Sequence, residues 1–266
     1  MTEKFSIEQI REFWTQQATT HGLSPAASWS DRPVMEMEIR NLLRYLSDGD
    51  RVLDVGCANG WSTIQFASQK RIRILGLDYI PDMIESARKG LEANRAHLTG
   101  EVEFDVGNIL ELQEPDAGYD KVIVIRVLIN LGNWENQLRG IRECARVLRP
   151  GGLFMMSEAT VQGWERLNAF RREWKLPPIP MPPFNQYLDQ QRVIDEAGPD
   201  LELVEVVDFA STYYVASRVL KPLLAGLAGG AIDVADPEME WNRFWSMAPA
   251  IGDYGTQKLL VFRKAP

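Results

Sequence analysis

The chain has little cysteine and little histidine: two of each among 266 residues, Cys57 and Cys144, His21 and His97. Two cysteines cannot form the disulfide framework of a small secreted domain, so the simpler expectation is a reducing, cytoplasmic compartment. So few Cys and His, without clustered acids, supply no zinc-site spacing, and no metal is expected. Basic excess is also missing. Lys and Arg number 29 against 37 Asp and Glu, a formal charge of -8. Nucleic acid is therefore not an expected partner, because phosphate binding draws on an unopposed cationic face. Long apolar runs are absent too. The longest candidate, Val219–Val234, is broken by Lys221, Pro222, three glycines and Asp233. It cannot supply the ~20 apolar residues of a membrane span. The start, MTEKFSIEQI, is charged and has no apolar core of a signal peptide.

What is present is a regular alternation. Apolar runs at Val52–Val55, Ile72–Leu77, Val102–Val106, Tyr119–Ile125 and from Leu153 to Met156 have the length and β-branching of buried strands. Between them, Trp61–Gln69, Pro81–Asn94 and Glu135–Leu148 repeat at helical spacing. Pro81 stands in a first turn, where its missing N–H costs nothing. Pro150-Gly151-Gly152 stops the last of these helices. This rhythm predicts an α/β fold, a doubly wound and mostly parallel sheet. Past Ser157 the rhythm breaks. Trp164–Trp174 reads as helix, LPPIPMPPF (176–184) can be neither helix nor central strand, and Leu188–Ala197 is helical again. Leu201–Phe209 and Thr256–Arg263 read as two last strands, and an aromatic-rich insertion lies between them.

The stretch RVLDVGCANGWS (51–62) carries the chemistry. A small-residue loop between strand and helix lets a ligand approach the backbone and aims a helix N-terminus at it. Dinucleotides and S-adenosylmethionine are both bound this way. Counted from Gly56, the second glycine of the dinucleotide fingerprint is Ala58 and the third is Trp61. The largest side chain thus sits where close helix–strand packing needs the smallest. Asp54 would repel a pyrophosphate, whereas S-adenosylmethionine carries a sulfonium and an ammonium and no phosphate. The acid before the loop suits the cationic ligand.

VLDVGCANG, ILGLDYIPDMI, GNILEL, YDKVIVI and RVLRPGGLF, in that order, resemble the class I S-adenosylmethionine-dependent methyltransferases over about Leu43–Ser157. The resemblance implies a seven-stranded Rossmann-like sheet of order 3-2-1-4-5-7-6 with strand seven antiparallel. It implies one domain, with an N-terminal helical lid (1–40), a cofactor core (41–160), the last two strands (201–209 and 256–264) and helical cap insertions (161–199 and 210–256). Asp54, Gly56, Cys57, Ala58 and Gly60 match the loop around the methionine part of the cofactor. Asp78 matches the acid that holds both ribose hydroxyls, a task suited to a carboxylate. Tyr79 and Met83 would flank the adenine, and Asn108-Ile109 would meet its amino group and ring. Asn108 stands where the family often has Asp, and Ala58 where it usually has Gly.

The catalytic group is less defined. Arg126, directly after the fourth strand, is a candidate for the cofactor carboxylate or the acceptor, with a structural ion pair as the plain alternative. Many small-molecule members carry a His where this chain has Asn130. Glu158, at the end of strand five, is a candidate base, or else a helix cap. His21 precedes a lid loop and is a second candidate; Asp31 is a weaker one. Cys57 is read as a small residue in a tight turn. Trp164, Tyr213 and Trp245 are read mainly as cap core. The expected activity is methyl transfer to a small molecule, oxygen first, with nitrogen or carbon acceptors, non-methylating chemistry and a non-catalytic subunit as alternatives.

Overall fold

A computed structural model describes residues 4–230 and 233–266. Seven strands form one sheet: β1 (Arg51–Val55), β2 (Arg73–Asp78), β3 (Glu101–Val106), β4 (Tyr119–Ile125), β5 (Leu148–Ala159), β6 (Leu201–Val207) and β7 (Gln257–Lys264). Their spatial order is β3-β2-β1-β4-β5-β7-β6, as expected. The first five run parallel, and β7 lies antiparallel to both β5 and β6.

Strand side chains alternate between two cores, as the two-residue period of a pleated strand requires. Val122, Val124, Phe154 and Met156 face one side, with Ile141, Cys144 and Val147 of helix α5 (Trp134–Val147). Ile123, Ile125 and Met155 face the other, with Phe66 and Ala67 of α3 (Trp61–Gln69). Central strands covered on both faces explain the continuous apolar runs of the sequence.

Chain order reverses direction between β1 and β4. In open parallel sheets this point leaves a crevice at the carboxyl ends of the strands. Three groups of elements close that crevice. The first is α1 (Ile7–His21), α2 (Arg32–Leu42) and the turn between them; α1 is started by a capping box of Ser6 and Gln9. The second is α6 (Val161–Glu173) with the proline-rich segment after it. The third is the insertion between β6 and β7, containing α8 (Ser211–Val215), a π-helical turn (Ala216–Leu220), α9 (Lys221–Leu227) and α10 (Glu240–Ser246). Among the described residues, no helix is long and apolar enough to cross a membrane.

Helix α5 ends one residue earlier than its apolar period suggests. Leu148 pairs with Tyr119 and opens β5, and the register then jumps to Leu153↔Lys121 across Pro150-Gly151-Gly152. The expected helix at Leu188–Ala197 is shorter, Gln190–Glu196, because Asp189 caps it and Leu188 makes an isolated parallel bridge with Thr160.

Candidate active site

The loop after β1 is held by its own backbone. Gly56 (φ +79°), Ala58 (φ +49°) and Gly60 (φ +73°) all take the left-handed conformation. A Cβ at Gly56 would lie 2.0 Å from Val127 Cγ2, so glycine is the residue that lets the β1 and β4 loops touch. Ala58 accepts the strain that a glycine would avoid, of order 1 kcal/mol. Its N–H donates to Asp78 Oδ2 at 2.8 Å, and the Ile80 N–H donates to Oδ1 at 2.9 Å. Asp78 therefore ties the β1 loop to the β2 loop. Each of its oxygens keeps lone-pair capacity for a further donor.

Above this loop lies a cavity of about 200 Å³ lined by Asp54, Gly56, Cys57, Ala58, Asp78, Tyr79, Met83, Asn108, Ile109 and Arg126. Of the residues expected around the cofactor, only Gly60 is outside the lining. It is the N-cap of α3, packed against Phe104. The opposite wall is lid: Ile7, Ile10, Arg11 and Trp14 of α1. Arg11 stands over the Tyr79 ring at 5.1 Å. Asn59 donates from Nδ2 to Gly22 O (2.8 Å) and Ser24 O (2.7 Å), pinning the lid to the loop.

Both acids of the cavity resist ionisation while no cation is near. Burial raises Asp54 to about 7, against a 2.6 Å hydrogen bond from Thr63 that pulls the other way. Burial likewise raises Asp78 to about 6, opposed by its backbone N–H donors. A cationic ligand would reverse both shifts. The Cys57 thiol, beside these acids and buried, is pushed well above its ordinary value, so it stays protonated and inert as a nucleophile.

A second cavity, about 420 Å³, adjoins the first, and both are lined by Trp14, Ser28, Arg126 and Asn130. Its walls include Trp29, Trp164, Pro180, Pro182, Phe184, Tyr187 and Tyr214. Phe13 of α1 stacks on Phe184 at 4.3 Å, which joins the lid to the proline-rich segment over this space. Arg218, on the π-helical turn, and His21 also line it.

Arg126 stands at the junction in a left-handed conformation (φ +55°), just where β4 ends. Its guanidinium donates to Glu38 at 2.5 Å and lies 4.8 Å from the Trp29 ring. The ion pair expected as the plain alternative is present, and Arg126 also lines both cavities. Glu38 is a residue the sequence reading missed. It is 1% exposed and also accepts from Ser157 Oγ and from Gln257 Nε2 (3.2 Å). An acid among Val34, Met35, Met37 and Ile39, all buried, was the available signal.

Glu158 does not face either cavity, which corrects its reading as a base. It is fully buried, and accepts the backbone N–H groups of Val127 (2.8 Å), Leu128 (2.8 Å) and Ile129 (3.4 Å). It fixes the segment that follows Arg126. The helix after β5 is capped by Thr160 instead. Asp31 is also occupied, accepting from Val34 N–H, Tyr213 Oη (2.7 Å) and Arg218 (2.5 Å). His21 lines only the second cavity, at the end of α1. Trp164 lines that cavity, whereas Tyr213 and Trp245 pack in the cap core. No group of His, Cys, Asp or Glu among the described residues could hold a metal ion.

A doubly wound sheet of this order, with acids against a strained loop at its switch point, defines an S-adenosylmethionine site. The chain belongs to the class I S-adenosylmethionine-dependent methyltransferases. A family model described as a methyltransferase domain matches residues 46–177. An O-methyltransferase of Aspergillus nomiae is 32% identical over 165 residues, 57% of this chain and 71% of that protein. For other curated relatives, at 29–34% identity, the match spans 40–59% of their length. Among solved structures, the (4+2)-cyclase SpnF shares the fold at a TM-score of 0.62 and 20% identity, covering 99% of this chain and 98% of that one. Magnesium protoporphyrin IX methyltransferase from Synechocystis, solved with bound S-adenosylhomocysteine, aligns at 0.62 with 13% identity, covering 98% and 100%.

Proposed function

We propose that this enzyme methylates an oxygen of a small-molecule acceptor held in the second cavity. One observation carries the reading: the second cavity shares four lining residues with the cofactor cavity and is walled by aromatic rings and prolines from the lid, α6 and the cap. A pocket of that size under a latched lid suits a compact, mostly apolar molecule rather than a polymer. The formal charge of -8 favours the same side. Oxygen as the acceptor atom is supported by the O-methyltransferase of Aspergillus nomiae.

The cofactor supplies an electrophilic methyl on a positively charged sulfur. The chain's residues do the rest. Asp54 compensates cationic charge, and Asp78 offers carboxylate oxygens to paired hydroxyls. Tyr79, Met83, Asn108 and Ile109 shape the far end, and the lid shuts water out. Alignment of two reactants in a dry site removes the entropic cost of bringing them together.

The test starts with calorimetric titration using S-adenosylhomocysteine, with NAD as control. Saturable binding of the first alone is expected. Incubation with methyl-labelled donor and fractionated cell extract should then place label in the small-molecule fraction, on oxygen. Label in RNA or protein, or on nitrogen or carbon, overturns the acceptor reading. Binding without any transfer favours non-methylating chemistry on the same fold.

A further inference from the structure

An acceptor hydroxyl must lose a proton, and the four residues that the two cavities share, Trp14, Ser28, Arg126 and Asn130, include no carboxylate or imidazole to take it. No aspartate or glutamate among the described residues lines the second cavity, whose wall does carry the His21 imidazole away from the junction. Three buried acids tied to residues of the lining, Glu38, Glu158 and Asp31, each accept three hydrogen bonds from the protein. The Asn130 amide is spent on Arg126 O (2.7 Å) and on the Trp14 indole N–H (3.4 Å). Ser28 Oγ donates to Pro25 O at 3.2 Å.

What the junction does offer is a donor. A guanidinium has five N–H groups, and Arg126 commits one to Glu38. Trp29 covers a face and leaves the edges. The left-handed backbone of Arg126 is held in place by Glu158 beneath the next three N–H groups. Strain kept in this way at the end of a parallel strand is what a fixed functional group requires. Arg218 is a second donor in the second cavity, and Asn185 Oδ1 is a buried acceptor with no partner among the described residues, on a residue only 9% exposed.

We propose that the acceptor is an acidic hydroxyl, an enol or a phenol conjugated to a carbonyl, and that Arg126 holds its anion at the junction. This rests on the oxygen reading above. The proton leaves to solvent before the acceptor is enclosed. An oxygen lone pair then forms the O–CH₃ bond, the S–CH₃ bond breaks, and its electron pair stays on sulfur as a neutral thioether. Arg218 fits the conjugated carbonyl, and Asn185 fits a further hydroxyl.

Other titratable or charged groups around the junction are Arg11 and His21 from α1, Asp54 and Asp78 from the sheet ends, and Glu38 from α2. On the cap side they are Arg218 with Asp31, and the phenols of Tyr187 and Tyr214, both pushed up by burial. The test must separate Arg126 from these.

The probe is 4-nitrophenol, a vinylogous acid with a coloured anion, titrated in visible absorbance with protein saturated by S-adenosylhomocysteine. That product has no sulfonium, so it isolates the contribution of the chain. Saturable binding is expected, with at least a tenfold shift of the bound probe toward its anion relative to free probe at the same pH. Arg126→Gln should abolish the shift, Arg126→Lys should restore part of it, and His21→Gln should leave it intact. Absence of saturable binding, a bound probe no more ionised than the free one, a shift surviving Arg126→Gln or a shift lost in His21→Gln each overturns the proposal. A folded Arg126→Gln protein that no longer binds S-adenosylhomocysteine assigns the residue to the cofactor and also overturns it. Failure of the parent protein to bind S-adenosylhomocysteine would instead condemn the methyltransferase site. Label found on nitrogen would remove the oxygen reading on its own.

Discussion

The sheet side of the cofactor cavity comes from short windows of sequence at the ends of adjacent strands, 54–58, 78–83 and 107–110, and α1 and the segment after β4 close it. The second cavity gathers its lining from five separated windows, 13–30, 126–130, 159–187, 214–218 and 256–257. The first is fixed by backbone, with left-handed turns and N–H groups on Asp78. The second is fixed by side chains in long-range contact, such as Phe13 on Phe184 and Arg126 on Glu38. A site of the first kind binds the same ligand as long as the local turn survives. A site of the second kind changes shape with any of its contributors, so one fold can retain a cofactor and change its acceptor.

The largest effect should follow from breaking the backbone-built side. Asp78→Ala removes the carboxylate meant for the ribose and leaves the N–H groups of Ala58 and Ile80 without their partner. Two hydrogen bonds to a charged group, at roughly 1.5–3 kcal/mol each, predict a loss of cofactor affinity of at least about a hundredfold. Circular dichroism should show a retained fold. Calorimetry reads the affinity, and a value within threefold of the parent would remove Asp78 from the cofactor site. The second cavity should be untouched, so 4-nitrophenol should bind the variant as it binds the ligand-free parent.

The contrast also decides how much could be read before the structure was known. Asp54 and Gly56 were legible because a strand end, a tight turn and a helix start fall within ten residues of one another, and the roles expected of Asp78 and Met83 came with the family resemblance. The strands themselves were legible because buried parallel strands are continuously apolar, whereas their order came with the family resemblance of the motifs. Glu38 and Arg218 were not legible, since each has meaning only through a partner far along the chain, Arg126 and Asp31. Glu158 misled for the same reason. Its place at a strand end suits a base, and only the folded loop shows three N–H groups already occupying it. The π-helical turn that carries Arg218 has no local signature in a run of small and apolar residues.

A smaller effect sharpens the electrostatic half of the comparison. Asp54 and Asp78, raised by burial to about 7 and about 6, hold protons in the ligand-free fold that the unfolded chain has released. The sign follows directly. Between the ordinary carboxylate range and those values the folded state binds more protons, so ligand-free stability falls as pH rises through that window. A cationic ligand favours both carboxylates and expels the protons. Affinity for S-adenosylhomocysteine should therefore rise about tenfold from pH ~6 to pH ~7 and level off above pH ~8. Calorimetry in buffers of different ionisation enthalpy counts the protons released. Asp54→Asn should flatten most of the slope. Affinity independent of pH across this range would mean that Asp54 does not face the cationic group.

The smallest effect concerns the strain in the loop itself. Ala58 sits at φ +49°, where an L-residue costs roughly 1–2 kcal/mol and glycine costs little. Glycine also adds freedom to the unfolded chain, worth roughly 0.4–1 kcal/mol against it. Ala58→Gly should then stabilise the ligand-free protein by about 0.5 kcal/mol, the difference of the two terms. If the alanine serves to preorganise the turn, the same change should weaken S-adenosylhomocysteine binding about twofold, since a looser turn must be ordered on binding. Chemical denaturation and calorimetry on one variant separate these outcomes. Greater stability with unchanged affinity would mean that Asp78 alone shapes the loop and that the strain at Ala58 is merely tolerated. Lower stability would mean that the Ala58 methyl makes a packing contact worth more than its backbone costs, and the cofactor side would then depend on side chains as the acceptor side does.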